Sequence, residues 1–180
     1  MKLFGVEPRP WSHKLRWLAL LTGAALVTVM LVNQYLATPE VPQHVMSYEL
    51  ADQPGKAETL KRQWQQDHSM LPEMTLWVDF VFIALYAVFL VSLANHFLYD
   101  RPGIRERKAG RLAKTLLVIG AIGDAVENAF LIAAIHQPET ELWPTMATIA
   151  TLVKFTGLLV GGACLLVVRA ARRHPLQPED

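Results

Sequence analysis

The segment Thr115–Ile135, TLLVIGAIGDAVENAFLIAAI, decides how the rest of the chain is read. It is long enough to cross a hydrocarbon core of about 30 Å, which takes about 20 helical residues. Backbone groups in lipid must be satisfied within the segment, so such a run is a helix. Three of its residues do not belong in hydrocarbon: Asp124, Glu127 and Asn128 stand at i, i+3 and i+4, on one face. A charged group at mid-bilayer costs about 2.5–3.5 kcal/mol on insertion scales, so these three need polar partners from other helices.

Three further runs have the same character: Trp17–Ala37, Leu76–Tyr99 and Thr145–Val168. No soluble fold needs four such runs in 180 residues. The expected architecture is all-α. It is a single membrane domain over residues 1–180, an antiparallel four-helix bundle with a short external amphipathic helix between spans one and two. Composition agrees. The chain is 52% apolar and 18% charged, against about a quarter charged in soluble proteins, and its charges crowd into the termini and two loops. A net charge of +1 argues against a nucleic-acid partner, which needs a strong basic excess. Cys164 is the single cysteine, so neither an intramolecular disulfide nor a cysteine metal site is possible. No H-x-x-x-H spacing, P-loop, G-x-S-x-G or dinucleotide fingerprint occurs. No metal and no cofactor is therefore expected.

Basic residues orient the spans. Lys2, Arg9, Lys14 and Arg16 precede the first. Arg101, Arg105, Arg107, Lys108, Arg111 and Lys114 lie between the second and third, and Arg169, Arg172 and Arg173 follow the fourth. The other two connections hold only Lys56, Lys61 and Arg62, among more acidic residues. The positive-inside rule places both termini in the cytoplasm, in a bacterial inner membrane. Trp17 and Tyr99 fall at the inner boundary, and Tyr35, Trp77 and Trp143 at the outer one. The first span reads as an uncleaved anchor, because its apolar run is long and no A-x-A-like site follows it.

The sizeable connection, Thr38–Thr75, lies outside. Pro39, Pro42, Pro54 and Gly55 break its first half, and Lys56–Trp64 then reads as a short helix with Ala57, Leu60 and Trp64 on one narrow stripe. It packs on the bundle rim as an interfacial helix, a reading that needs no ligand, or it forms a lid over a site that opens outward.

The remaining spans supply the polar partners. Asp79 and Tyr86 share a face of span two, and Lys154 is the charged residue of span four. Spans three and four are joined by a tight turn. Counted from their outer ends at 1.5 Å per residue, Glu127 and Lys154 lie at one depth, about 12–14 Å in. They are expected to pair, with Asp79 shallower and Tyr86 nearer the middle, forming a polar funnel entered from outside. Lys154, Gly157 and Gly161 share a stripe, and a G-x-x-x-G pair lets a neighbouring helix come close, which turns the lysine inward. Asn33 on span one is a possible rim residue. A pure register-locking ion pair needs one acid and one base. The surplus carboxyls instead point to a ligand or a proton.

The pattern Tyr48-Glu49-Leu-Ala51 with Ala57, Leu60 and Trp64, then Asp79-Phe80 with Tyr86, Asp124-Ala-Val-Glu-Asn128 and Lys154-Phe155 resembles a family of small four-span bacterial membrane proteins. The resemblance covers most of the chain from the external loop onward and adds Glu49 and Trp64 to the rim of the site. It implies no particular activity.

Three classes of function remain. One is a bundle that binds a small molecule, a lipid headgroup or a proton, through Asp79, Tyr86, Asp124, Glu127, Asn128 and Lys154. A second is a membrane-embedded enzyme with Asp124 or Glu127 as general acid–base. A third is a subunit, of a homo-oligomer or with a membrane partner protein, whose cluster only fixes packing. Whichever holds, topology is testable by itself. Reporter fusions after Asp180 and within Arg101–Lys114 should score cytoplasmic, and those within Val41–His68 external. An external signal from Arg101–Lys114 would overturn the orientation.

Overall fold

In a computed structural model the chain is described over residues 10–36, 71–99, 103–137 and 142–171. The described elements are four α-helices: α1 His13–Leu36, α2 Leu71–Leu98, α3 Ile104–His136 and α4 Leu142–Ala170. Each is long and apolar enough to cross a membrane. The expected external helix at Lys56–Trp64, with Glu49 and Trp64, lies outside the described residues, as does the side chain of Asn33.

Local chemistry sets the helix ends. Ser12 caps α1, its Oγ accepting from the backbone N–H of Leu15 at 3.3 Å. Pro144 sits in the first turn of α4, where a missing N–H costs nothing. Trp143 Nε1 donates to Gln137 Oε1 at 2.9 Å, tying the end of α3 to the start of α4. One boundary differs from expectation. The basic stretch Ile104–Lys114 is not loop but the first three turns of α3. Its arginines, lysines, alanine and leucine are good helix formers, and nothing breaks the helix between them and the apolar run.

The spine of the fold is α3. It packs along its length against α4 and against α2, α1 lies on α2, and α2 touches α4 only sparingly. Both interfaces of α3 are antiparallel. Leu117 meets Gly161, Gly120 meets Gly157, Gly123 meets Lys154 and Phe130 stacks on Trp143. On the other side Asn95 meets Lys114, Tyr86 meets Asp124, and Glu73 meets His136.

The α3–α4 seam is a backbone-to-backbone contact. A Cβ added at Gly157 would lie 2.7 Å from both the backbone N of Gly120 and the carbonyl O of Leu116. One added at Gly123 would lie 2.9 Å from the backbone N of Lys154. Lipid tails are as apolar as leucine, so helices associate here by close packing rather than by escaping water. Glycine on both sides permits the approach. Facing outward are the large apolar side chains of a lipid-exposed surface, among them Leu152, Leu159 and Leu166 along α4.

Buried apolar layers stack along the bundle. Leu76, Leu131 and Ala147 form one near the α3–α4 turn. Ile83, Tyr86 and Ala121 form a second, and Ala94, Ala113, Leu117 and Leu165 a third toward the other end. Gly157→Ala should therefore destabilise the protein by about 1–3 kcal/mol, the usual cost of overpacking. Gly162→Ala, whose Cβ would meet nothing within 4 Å, should cost nothing. Thermal unfolding of both variants in detergent reads the difference, and equal losses would contradict the seam.

Candidate functional site

Between the first two apolar layers lies a polar one. On α3, Asp124, Glu127 and Asn128 are all buried, and Glu127 is 0% exposed. Helical spacing puts Asp124 and Asn128 toward α2, with Glu127 toward α4. Their partners come from the flanking helices. Tyr86 O–H on α2 donates to Asp124 Oδ2 at 2.6 Å. Asn128 Nδ2 donates to Asp79 Oδ2 at 2.8 Å. From α4, Lys154 Nζ donates to Glu127 Oε1 at 3.1 Å and lies 2.8 Å from Asp124 Oδ1.

The glycine seam is what makes this reachable. Because Gly123 abuts the backbone of Lys154, the lysine stem starts against α3, within one turn of both acids. Its ammonium bridges them and also lies 5.4 Å from the centre of the Phe155 ring, within cation–π range. Tyr86 is held in turn by Phe82, ring centres 5.2 Å apart. Glu127 lies about 14 Å from the end of α3 and Lys154 about 18 Å from the start of α4, at 1.5 Å per residue. The helix ends are offset, but the direct contact between the two side chains puts them at one level.

The structure departs from the sequence reading in three respects. First, Lys154 does not belong to Glu127 alone. It bridges Glu127 and Asp124, because acids three residues apart present oxygens on both sides of one ammonium. Second, Asp79 and Tyr86, expected on one face at different depths, take separate partners. Tyr86 joins the lysine group, whereas Asp79 bonds Asn128 one turn away. Third, the funnel is closed along the axis. Leu76, Leu131 and Ala147, none more than 4% exposed, sit between the cluster and the α3–α4 turn. The partly accessible members are Asp79 and Lys154, on two helices that touch each other only sparingly, so the layer is approached sideways between α2 and α4. Thr151, one turn from Lys154, is not part of the cluster; its hydroxyl donates to the Ala147 carbonyl at 2.9 Å.

Gly120 and Gly123 are the functional positions that sequence reasoning missed. Their signal was available: two glycines in the turn before Asp124, on the span that a tight connection sets beside Gly157 and Gly161.

The charge balance of the layer is unequal. Three carboxyls, of Asp79, Asp124 and Glu127, face one ammonium. Two buried oxygens, Asp124 Oδ1 and Glu127 Oε2, receive no hydrogen bond from the described residues. Both carboxylates are ion-paired with Lys154, through Asp124 Oδ1 at 2.8 Å and Glu127 Oε1 at 3.1 Å, which leaves Glu127 Oε2 as the buried oxygen outside these two contacts. Buried polar groups are almost always satisfied, so the arrangement suits a ligand that brings hydrogen-bond donors. Among the described residues no group of side chains is arranged to hold a metal ion. No family model, curated protein or solved structure matches this chain.

Stability tests the bridge. Lys154→Met leaves two buried carboxyls facing each other and should cost about 3–5 kcal/mol. Glu127→Gln and Asp124→Asn each leave the lysine one acid, so each should cost less. Lys154→Met combined with Glu127→Gln should recover part of the loss, since one carboxyl then remains and Tyr86 holds it. Unfolding in detergent measures all four variants, and strictly additive losses would sink the bridge.

Proposed function

We propose that this chain is an integral inner-membrane protein, with both termini cytoplasmic, whose polar layer binds a hydrogen-bond-donating ligand. The candidates are a small membrane-dissolved molecule or a lipid headgroup bearing amine or hydroxyl groups, or in the simplest case a proton. Asp124, Glu127 and Asp79 accept from it, Lys154 and Tyr86 hold the acids in place, and Asn128 orients Asp79. Entry runs between α2 and α4, in the half of the bilayer nearer the α3–α4 turn, which the distribution of basic residues assigns to the outer side. Kinship with the small four-span bacterial proteins is part of this proposal, resting on Asp79, Tyr86, Asp124–Asn128 and Lys154.

The observation that carries the reading is Glu127 Oε2: buried, part of a cluster with surplus acid, and without a donor among the described residues. A packing device would have satisfied it, because a half-satisfied polar network is worse than an apolar core. Apolar layers above and below the cluster favour binding over conduction, which needs polar groups along the whole path.

Mass spectrometry of molecules extracted from the detergent-purified full chain tests this. The wild type should retain an amine- or hydroxyl-bearing compound. Glu127→Gln should retain at least about tenfold less, since a hydrogen bond to a charged group contributes about 1.5–3 kcal/mol. Helicity measured on the same samples controls for folding. A folded Glu127→Gln protein with an unchanged extract would refute ligand binding at this residue.

A further inference from the structure

The opposite end of α3 carries a charge arrangement that the polar layer does not use. Arg105, Arg107, Lys108, Arg111 and Lys114 all fall within its first three turns, with Glu106 as the acid among them. A helix N-terminus already carries about +0.5 of an elementary charge, so cations there oppose the helix dipole. Glu106 offsets little of this, being one carboxylate against five cations. Topology alone asks only for basic residues near that end of the span, and a loop would serve. Instead they are fixed on a helix.

Their placement is specific. Gly110 and Lys114 meet the end of α2, and the exposed Arg107 and Arg111 flank them along the helix. Leu98 packs onto Gly110 so tightly that any Cβ there would overlap it, which sets an apolar floor between the two arginines. Lys114 is anchored by Asn95, its Nζ donating to Oδ1 at 3.1 Å. Leu98, Ile104, Arg107 and Arg111 line a groove of about 570 Å³. Ile104 is 66% exposed, an apolar wall beside two guanidinium groups. With 33 residues, α3 is about 50 Å long at 1.5 Å per residue, more than the about 40–45 Å of a whole bilayer. Its first turns therefore stand among the headgroups.

We propose that this groove binds the phosphate of an anionic phospholipid. Arg107 and Arg111 grip the phosphate oxygens, for which the planar guanidinium fork is well matched. Leu98 and Ile104 lie against the glycerol and the first acyl carbons. The bound anion offsets positive charge gathered at this end of α3. The apolar floor and wall select a lipid over free phosphate, which would gain nothing from them. This proposal is independent of the ligand proposed for the polar layer, and none of its residues belongs to that layer.

The test uses the full chain in phosphatidylcholine bilayers with spin-labelled phosphatidylglycerol or spin-labelled phosphatidylcholine as probe. The wild type should hold the anionic probe in preference to the neutral one. A basic residue near an anionic surface contributes about 1 kcal/mol, a factor of about five, so Arg107→Gln with Arg111→Gln should abolish most of that preference. Arg105→Gln with Lys108→Gln removes the same charge from beside the groove and should leave most of it. Equal losses in the two double variants would reduce the effect to general electrostatics and overturn the site. So would a wild type without preference, or complete displacement of the probe by millimolar inorganic phosphate at constant ionic strength. Circular dichroism of each variant confirms that the helices remain.

Discussion

The contact between the backbones of α3 and α4 is the constraint on which the rest depends. Inside a bilayer no hydrophobic effect drives two apolar helices together, so their association relies on packing contacts and on hydrogen bonds between them. Gly120 against Gly157, Gly123 against the backbone of Lys154 and Gly161 against Leu117 bring the two backbones together. That approach also sets the chemistry. A lysine whose backbone touches α3 has its full stem available to reach both Asp124 and Glu127. With larger residues at the seam the helices would stand apart, and the same ammonium would be left short of one acid.

Seen from the polar layer, the bundle is a sandwich. Apolar layers on either side exclude water along the axis, which strengthens every charge interaction between them. Low polarity makes the bridged lysine a strong clamp, and it makes an unsatisfied oxygen such as Glu127 Oε2 costly. The same environment thus stabilises the cluster and leaves it with a demand for donors. Two ends of one helix then serve different chemistries. The layer near the C-terminal third of α3 has surplus acid, while its first three turns have surplus base.

The spans, their helical nature and the polar face of α3 were legible in the sequence because each depends on short-range periodicity. Length and apolarity define a span, and the positions 124, 127 and 128 share a face in any helix. The common depth of Glu127 and Lys154 followed from a tight turn and a fixed rise per residue. The first three turns of α3 were less visible. Counting charges marks Arg101–Lys114 as a connection, whereas helix propensity continues through it, and charge and propensity are separate properties of the same residues.

What the sequence determined by itself is the set of groups that must be buried together: three acids, an amide, a phenol and one lysine on spans that have no other way to shelter them. Which oxygen meets which donor was decided only by the tertiary structure. Tyr86 goes to Asp124 rather than joining Asp79, Asp79 takes Asn128, and Lys154 divides itself between two carboxyls. The closing of the axial route by Leu76, Leu131 and Ala147 was decided there too. The reason is geometric. Periodicity specifies the face of each helix, but the rotation and separation of neighbouring helices are set by how their side chains interlock, and at this seam by side chains that are absent.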